Sequence, residues 1–175
     1  MTRINADNLF GLSQFIVDPT ASDGSFTTIQ SAINAAVSGD VIFVKPGSYV
    51  ENLVLKIGVD IIGVTADVRS PTATCTIIGL HTLTGNGFVV MQNFSMSAPG
   101  GNILTITGGP AQNPTLVVKN TQISSPIGMG GQLIGGGGTP GLILVDTGVN
   151  AQGIGFTVGD GRFSMENSTF CSASS

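Results

Sequence analysis

Phe88-Val-Val-Met-Gln-Asn-Phe-Ser-Met96, Leu116-Val-Val-Lys-Asn-Thr-Gln-Ile123, Leu142-Ile-Leu-Val-Asp-Thr-Gly-Val149 and Phe163-Ser-Met-Glu-Asn-Ser-Thr-Phe170 are four versions of one pattern. Each is a strand-like apolar run that ends in Asn or Asp, usually passes a small polar residue, and returns to an apolar position. The marker residues Asn93, Asn120, Asp146 and Asn167 stand 27, 26 and 21 positions apart. Between them lie second strands at Ile103-Leu-Thr-Ile106, Gln132-Leu-Ile134 and Gly155-Phe-Thr-Val158. A period in the twenties with several short strands per repeat is the signature of a solenoid, because one repeat cannot bury its apolar side chains alone and stacked repeats can. Asn or Asp recurring at one place suits a corner, where left-handed backbone and local side-chain hydrogen bonds are favoured. Each coil then adds one strand spacing, roughly 4.8 Å. The competing arrangement is an antiparallel β-sandwich with coincidental spacing.

Working back from the repeats, Cys75-Thr-Ile-Ile78, Val59-Asp-Ile-Ile-Gly-Val64, Tyr49 to Lys56 and Val41-Ile-Phe-Val44 read as further strands, with a loop at 65–73. Before Gly39 the period is 3.6 instead of 2. Ile29, Ala32, Ile33, Ala36 and Val37 form one apolar stripe of a helix of about ten residues. Thr27 or Thr28 caps it with Gln30 or Ser31 in the reciprocal position, and Gly39 stops it. The N-terminal segment holds one apolar stretch, Leu9 to Val17, then Asp18-Pro19 and the turn-rich residues 20–25. The expected organisation is an N-terminal extension at 1–24, a capping helix at 25–38 and coils over 39–175.

Composition agrees with an all-β chain. Glycine numbers 26 of 175 residues, Trp is absent, and Gly, Thr, Ser, Asn, Val and Ile supply the palette of β-branched strands and tight turns. Hydrophobic residues make up 41% and charged residues 9%, which argues against disorder. Six Lys and Arg, spread thinly, give no basic patch for nucleic acid. With so little charge, the surface relies on Ser, Thr, Asn and backbone, or is covered in part by another subunit. No apolar run approaches the ~18 residues of a membrane span, and the N-terminus has no signal-peptide core. Cys75 and Cys171 are read as buried small hydrophobes or free thiols, with no metal-ligand spacing.

Phe26-Thr-Thr-Ile-Gln-Ser-Ala-Ile-Asn-Ala-Ala36 followed by Ser38-Gly-Asp-Val-Ile-Phe-Val-Lys-Pro-Gly-Ser-Tyr-Val-Glu-Asn52 resembles the start of pectin methylesterases and other pectate-lyase-like β-helix proteins. Ile61-Ile-Gly63, Thr76-Ile-Ile-Gly79 and Gly85-Asn-Gly-Phe-Val-Val90 are similar to the coils that follow. The match covers about residues 24–96. It implies a single-stranded right-handed parallel β-helix with a short N-terminal capping helix laid over the open first coil. It says little about function, since the same opening occurs in lyases, esterases, phage tailspikes and adhesins.

In the esterases the later coils carry an aspartate pair, oxyanion-stabilising glutamines and an arginine. Here no Asp pairs with a nearby Arg. Asp146 occupies the repeated corner position and reads as scaffold. Pectate lyases need a Ca²⁺ cluster and an arginine; Asp40 and Asp60 could approach across coils but do not make a hard-cation site. Asp160 and Glu166 are the remaining carboxylates for a glycosidase pair. His81 has no triad context and reads as a surface or satisfied histidine, and Gly135-Gly-Gly-Gly138 as a flexible turn or protrusion without the Lys or helix of a phosphate cradle.

No catalytic residue, cofactor or metal is therefore expected, with Asp146, Asp160 and Glu166 as weak catalytic candidates. The functional expectation is a non-enzymatic structural or adhesive β-helix, such as part of a phage or viral fibre or a surface protein, with surface polysaccharide as its candidate ligand. The expected assembly is a homo-oligomer, a trimer being compatible, or a complex with other structural subunits, located on a virion or cell surface. The alternative is a carbohydrate-active enzyme: a pectin esterase, polysaccharide lyase or tailspike-type glycosidase.

Overall fold

From Val41 onward the strands alternate inward and outward side chains, as a two-residue period on a half-buried surface requires. The computed structural model describes residues 14–20, 26–64, 74–125, 130–151 and 156–172. The loop at 65–73, the turn at 21–25, the apolar residues before 14 and the start of the strand at 155 lie outside them. Strand β1 (Gln14–Val17) precedes helix α1 (Ile29–Ala35). The coils follow: β2 (Val41–Val44), β3 (Gly47–Val50) and β4 (Val54–Leu55); β5 (Asp60–Gly63), β6 (Cys75–Ile78) and β7 (His81–Thr84). Next come β8 (Gly87–Gln92), β9 (Phe94–Ser97) and β10 (Leu104–Gly108), then β11 (Pro114–Lys119), β12 (Gln122–Ser125) and β13 (Gly131–Gly135). The last are β14 (Gly141–Val145), β15 (Gly148–Ala151) and β16 (Phe156–Val158), with β17 (Arg162–Glu166) and β18 (Thr169–Ser172) opening a further coil.

Every third strand pairs in parallel with its predecessor, giving three sheets ordered β1-β2-β5-β8-β11-β14-β17, β3-β6-β9-β12-β15-β18 and β4-β7-β10-β13-β16. The chain is a parallel β-helix. Its core is a set of stacked columns, each filled by one residue per coil. Ile42, Ile61, Met91, Val118 and Leu144 form one such column and all are fully buried. Burying each of these side chains contributes about 1.5–3 kcal/mol.

The marker residues behave as the repeat predicts. Asn93, Asn120, Asp146 and Asn167 all adopt left-handed backbone, with φ of 66, 44, 48 and 47°. They turn the chain from the first sheet into the second. Asn120 Nδ2 donates to Asn93 Oδ1 at 2.9 Å, and Asn93 Nδ2 donates to the Gly63 carbonyl at 3.2 Å, so the corners bond along the solenoid axis.

Several local expectations are corrected. The helix is seven residues long, capped by Thr28, whose Oγ1 accepts from the Ser31 N–H. It ends before Val37, which is 62% exposed instead of completing the apolar stripe. Tyr49 to Lys56 is two strands, because Glu51-Asn52-Leu53 turns the chain from the second sheet into the third; Asn52 Oδ1 accepts the Leu80 N–H from the next coil. Residues 14–17 add a strand beneath β2. Gly135–Gly138 is no protrusion: Gly136 donates its N–H to Gly108 O at 2.5 Å, and Gly138 is buried against the turn of the preceding coil.

The helix closes the N-terminal end by three side-chain devices. The Glu51 carboxylate accepts the N–H groups of Ile29 and Gln30, both at 2.9 Å, at the positive end of the helix. Lys56 Nζ donates to the Ala36 carbonyl at the other end. The Gln30 amide pairs with the edge strand as a peptide group would: its Oε1 accepts the Val54 N–H at 2.8 Å and its Nε2 donates to Val54 O at 3.4 Å. Glu51→Ala is expected to cost about 1–2 kcal/mol and Glu51→Gln less. Urea unfolding followed by the fluorescence of Tyr49, the one tyrosine and 3% exposed, measures both.

Candidate functional site

A polar concavity follows from the corner geometry. A left-handed residue in each coil bends the first sheet sharply into the second and leaves a shallow groove outside the bend, of about 450 Å³. Asn93, Asn120 and Asp146 lie along it, one per coil, with Ser95 and Gln122 on the second-sheet side. Ser95, Gln122 and Gly148 are register partners. The Gln122 amide lies where a Cβ on Gly148 would stand, so the missing side chain at 148 makes room for it. Beneath the rim, Thr121 and Thr147 are buried and bond back to the carbonyls of Lys119 and Val145 at 2.8 and 2.9 Å, which holds the corners rigid.

Of the sequence candidates, Asp146 alone lines this groove. It sits on a corner, and its own N–H is spent on Glu166 O at 3.1 Å. Asp160 and Glu166 do not meet. Asp160 precedes β17 and Glu166 is its last residue, at the far end of a strand whose four residue steps span about 13 Å. Retaining glycosidases need their carboxylates about 5 Å apart and inverting ones under about 10 Å. Asp40 and Asp60 lie on neighbouring coils one residue out of register, Asp60 pairing with Val41, and Asp40 Oδ2 accepts from the Val37 N–H at 2.7 Å while Asp60 Oδ1 accepts from the Val90 N–H at 2.9 Å. Both serve as backbone acceptors, and among the described residues no cluster of three or more His, Cys, Asp or Glu is grouped as metal ligands are. Asp18 accepts from Lys45 Nζ at 2.7 Å and from Thr20, which hold its carboxyl well below the usual range.

The nucleophile and base inventory is equally plain. Cys75 is buried, and burial pushes its thiol up to about 11, so it is protonated and inert at neutral pH. Cys171 is also free, but exposed instead of buried. His81 is 1% exposed, not at the surface. Its Nδ1 accepts the Leu53 N–H at 3.3 Å, which places the ring proton on Nε2, and Nε2 has no partner among the described residues. A second concavity of about 400 Å³, on the outer face of the first sheet, is lined by Phe88, Val117 and Ile143 with Asn86, Asn113 and Thr115, and carries no ionisable group among the described residues.

Solved structures with a similar course are pectin methylesterases. One in complex with a hexasaccharide superposes with a TM-score of 0.38 at 11% identity, over 92% of this chain and 90% of that chain. The enzyme from Erwinia chrysanthemi gives 0.36 at 12%, over 92% and 90%, and that from Aspergillus niger 0.32 at 12%, over 91% and 86%. At this level the likeness assigns no activity and no site. No protein-family model matches the sequence, and no curated protein matches it.

Proposed function

We propose that the chain is a non-catalytic binding module, a structural or adhesive part of a fibre or surface protein, that takes an extended polysaccharide along the corner groove. The observation that supports this is the lining itself. Polar side chains recur once per coil, Asn93 with Ser95, Asn120 with Gln122, then Asp146, roughly every 4.8 Å on a rigid rail. Such groups hydrogen-bond the hydroxyls of a chain molecule in successive registers. Hydrolysis needs more than the described rail offers: among the described residues Asp146 is the one ionisable group lining the groove, without the second carboxylate of a glycosidase or the Asp–Arg set of an esterase.

Calorimetric titration of the purified protein with neutral and acidic polysaccharides tests the reading. Binding should appear and should weaken about 2- to 10-fold on Gln122→Ala, the loss of one or two groove hydrogen bonds. No binding by any polymer in the panel, or binding indifferent to Gln122, would sink it. The second reading, a carbohydrate-active enzyme, is favoured by Asp146 lying in the groove. Turnover of any such polymer that disappears in Asp146→Asn would replace the first reading with the second.

A further inference from the structure

The two ends of the solenoid are finished differently. At the N-terminal end the backbone of β1 bonds to Phe26 through the Phe26 N–H to Ile16 O and the Asp18 N–H to Phe26 O, and Gln30 occupies the edge of β4. At the other end β16, β17 and β18 are, among the described residues, the last strands of their sheets. The core columns stay open there. Phe163 and Met165 are 37% and 36% exposed, whereas Leu142 and Leu144, their register partners one coil earlier, are at 0%. Phe170 is 42% exposed against 2% for Val149.

β17 reads Arg162-Phe-Ser-Met-Glu166, and about Ser164 it is complementary to itself. The Arg162 N–H donates to Pro140 O, and Glu166 O accepts from the Asp146 N–H. Residues 162, 164 and 166 thus direct their backbone groups to β14, and strand alternation turns those of Phe163 and Met165 to the open edge.

We propose that this edge binds a second copy of the chain, end to end, with β17 pairing antiparallel to its counterpart about a two-fold axis at Ser164. Three properties of the strand fit that occupant. Phe163 of each copy stands opposite Met165 of the other as a hydrogen-bonded pair, using the groups that face the edge. The same two side chains point inward and continue the core across the junction. Arg162 of each copy faces Glu166 of the other in the closer, non-hydrogen-bonded position on the outer surface, so opposite charges meet twice. An isologous contact of this kind closes at two copies.

Sedimentation analysis of the full chain at micromolar concentration should give twice 17.7 kDa. Arg162→Glu alone, or Glu166→Arg alone, sets like charges opposite each other at both ends of the junction and should weaken the dimer at least about tenfold. The double reversal Arg162→Glu with Glu166→Arg recreates the pairs and should restore the dimer. Both side chains are exposed, so the variants keep the fold, which far-UV circular dichroism checks. A monomeric or trimeric wild type, single reversals that leave the dimer intact, or a double reversal no better than the singles would overturn the proposal.

Discussion

Gly138→Ala is expected to cost the fold about 3 kcal/mol or more, and Gly100→Ala nothing. A Cβ added at Gly138 would overlap the carbonyl oxygens of Gln112 and Gly109, both backbone atoms of the preceding coil. A flexible side chain could swing away; a peptide group held in a turn cannot. Overpacking a tight site ordinarily costs about 1–3 kcal/mol, and backbone overlap lies at or beyond the top of that range. The cost also spreads, because forcing Gly135–Gly138 off Gly108–Gln112 separates two coils and strains the ladder between β10 and β13. At Gly100 a Cβ would meet nothing within 4 Å. There the substitution only restricts the unfolded chain, so its effect is neutral or mildly stabilising. Urea midpoints for the two variants decide the matter; equal midpoints would show that the glycine stack is not close-packed.

Acid should weaken the protein in a specific window. Burial lowers the His81 imidazole from 6.5 to about 4. Below pH 6.5 the unfolded chain takes up a proton at this residue and the folded chain does not. Stability therefore falls as pH drops from about 6.5 to about 4, by about 3 kcal/mol in all, and this residue adds no further loss below that. The depressed Asp18 carboxyl acts elsewhere: its contribution is present above the ordinary carboxylate range and is lost only below about pH 4. His81→Gln keeps an acceptor for the Leu53 N–H and should flatten the curve between pH 7 and 4. Unfolding free energies measured across that range test this; an unchanged slope in His81→Gln would assign the sensitivity to another group.

Much of this architecture was legible in the sequence. Asn and Asp tolerate left-handed backbone, so their recurrence at 93, 120, 146 and 167 located the corners before any coordinates. That assignment also turned Asp146 from a tempting nucleophile into a corner residue. The burial of His81 was not read: the sequence left it at the surface or satisfied, and only the unrecognised strand β7, on which it alternates with Leu83, turns it inward. What could not be read were contacts set by coil register. Glu51 reaches the helix N-terminus across 22 residues, and Gln30 reaches Val54 across 24. Neither spacing announces itself, because the intervening turns fix where the chain returns. The glycine stack and the Gln122 amide over Gly148 are hidden for the same reason: each depends on which residue of one coil lands on which residue of the next.

The closed first coil also gives the molecule a direction in time. A ribosome delivers the N-terminal cap first, and each later coil meets a finished edge that already displays the register it must adopt. Contacts between neighbouring coils span roughly one repeat, whatever the total length, so search distance does not grow as the chain does. Assembly of this kind resembles a crystal extending from a seed: the seed is the helix with Glu51, Lys56 and Gln30 around it, and the growing face is the one that ends in β17.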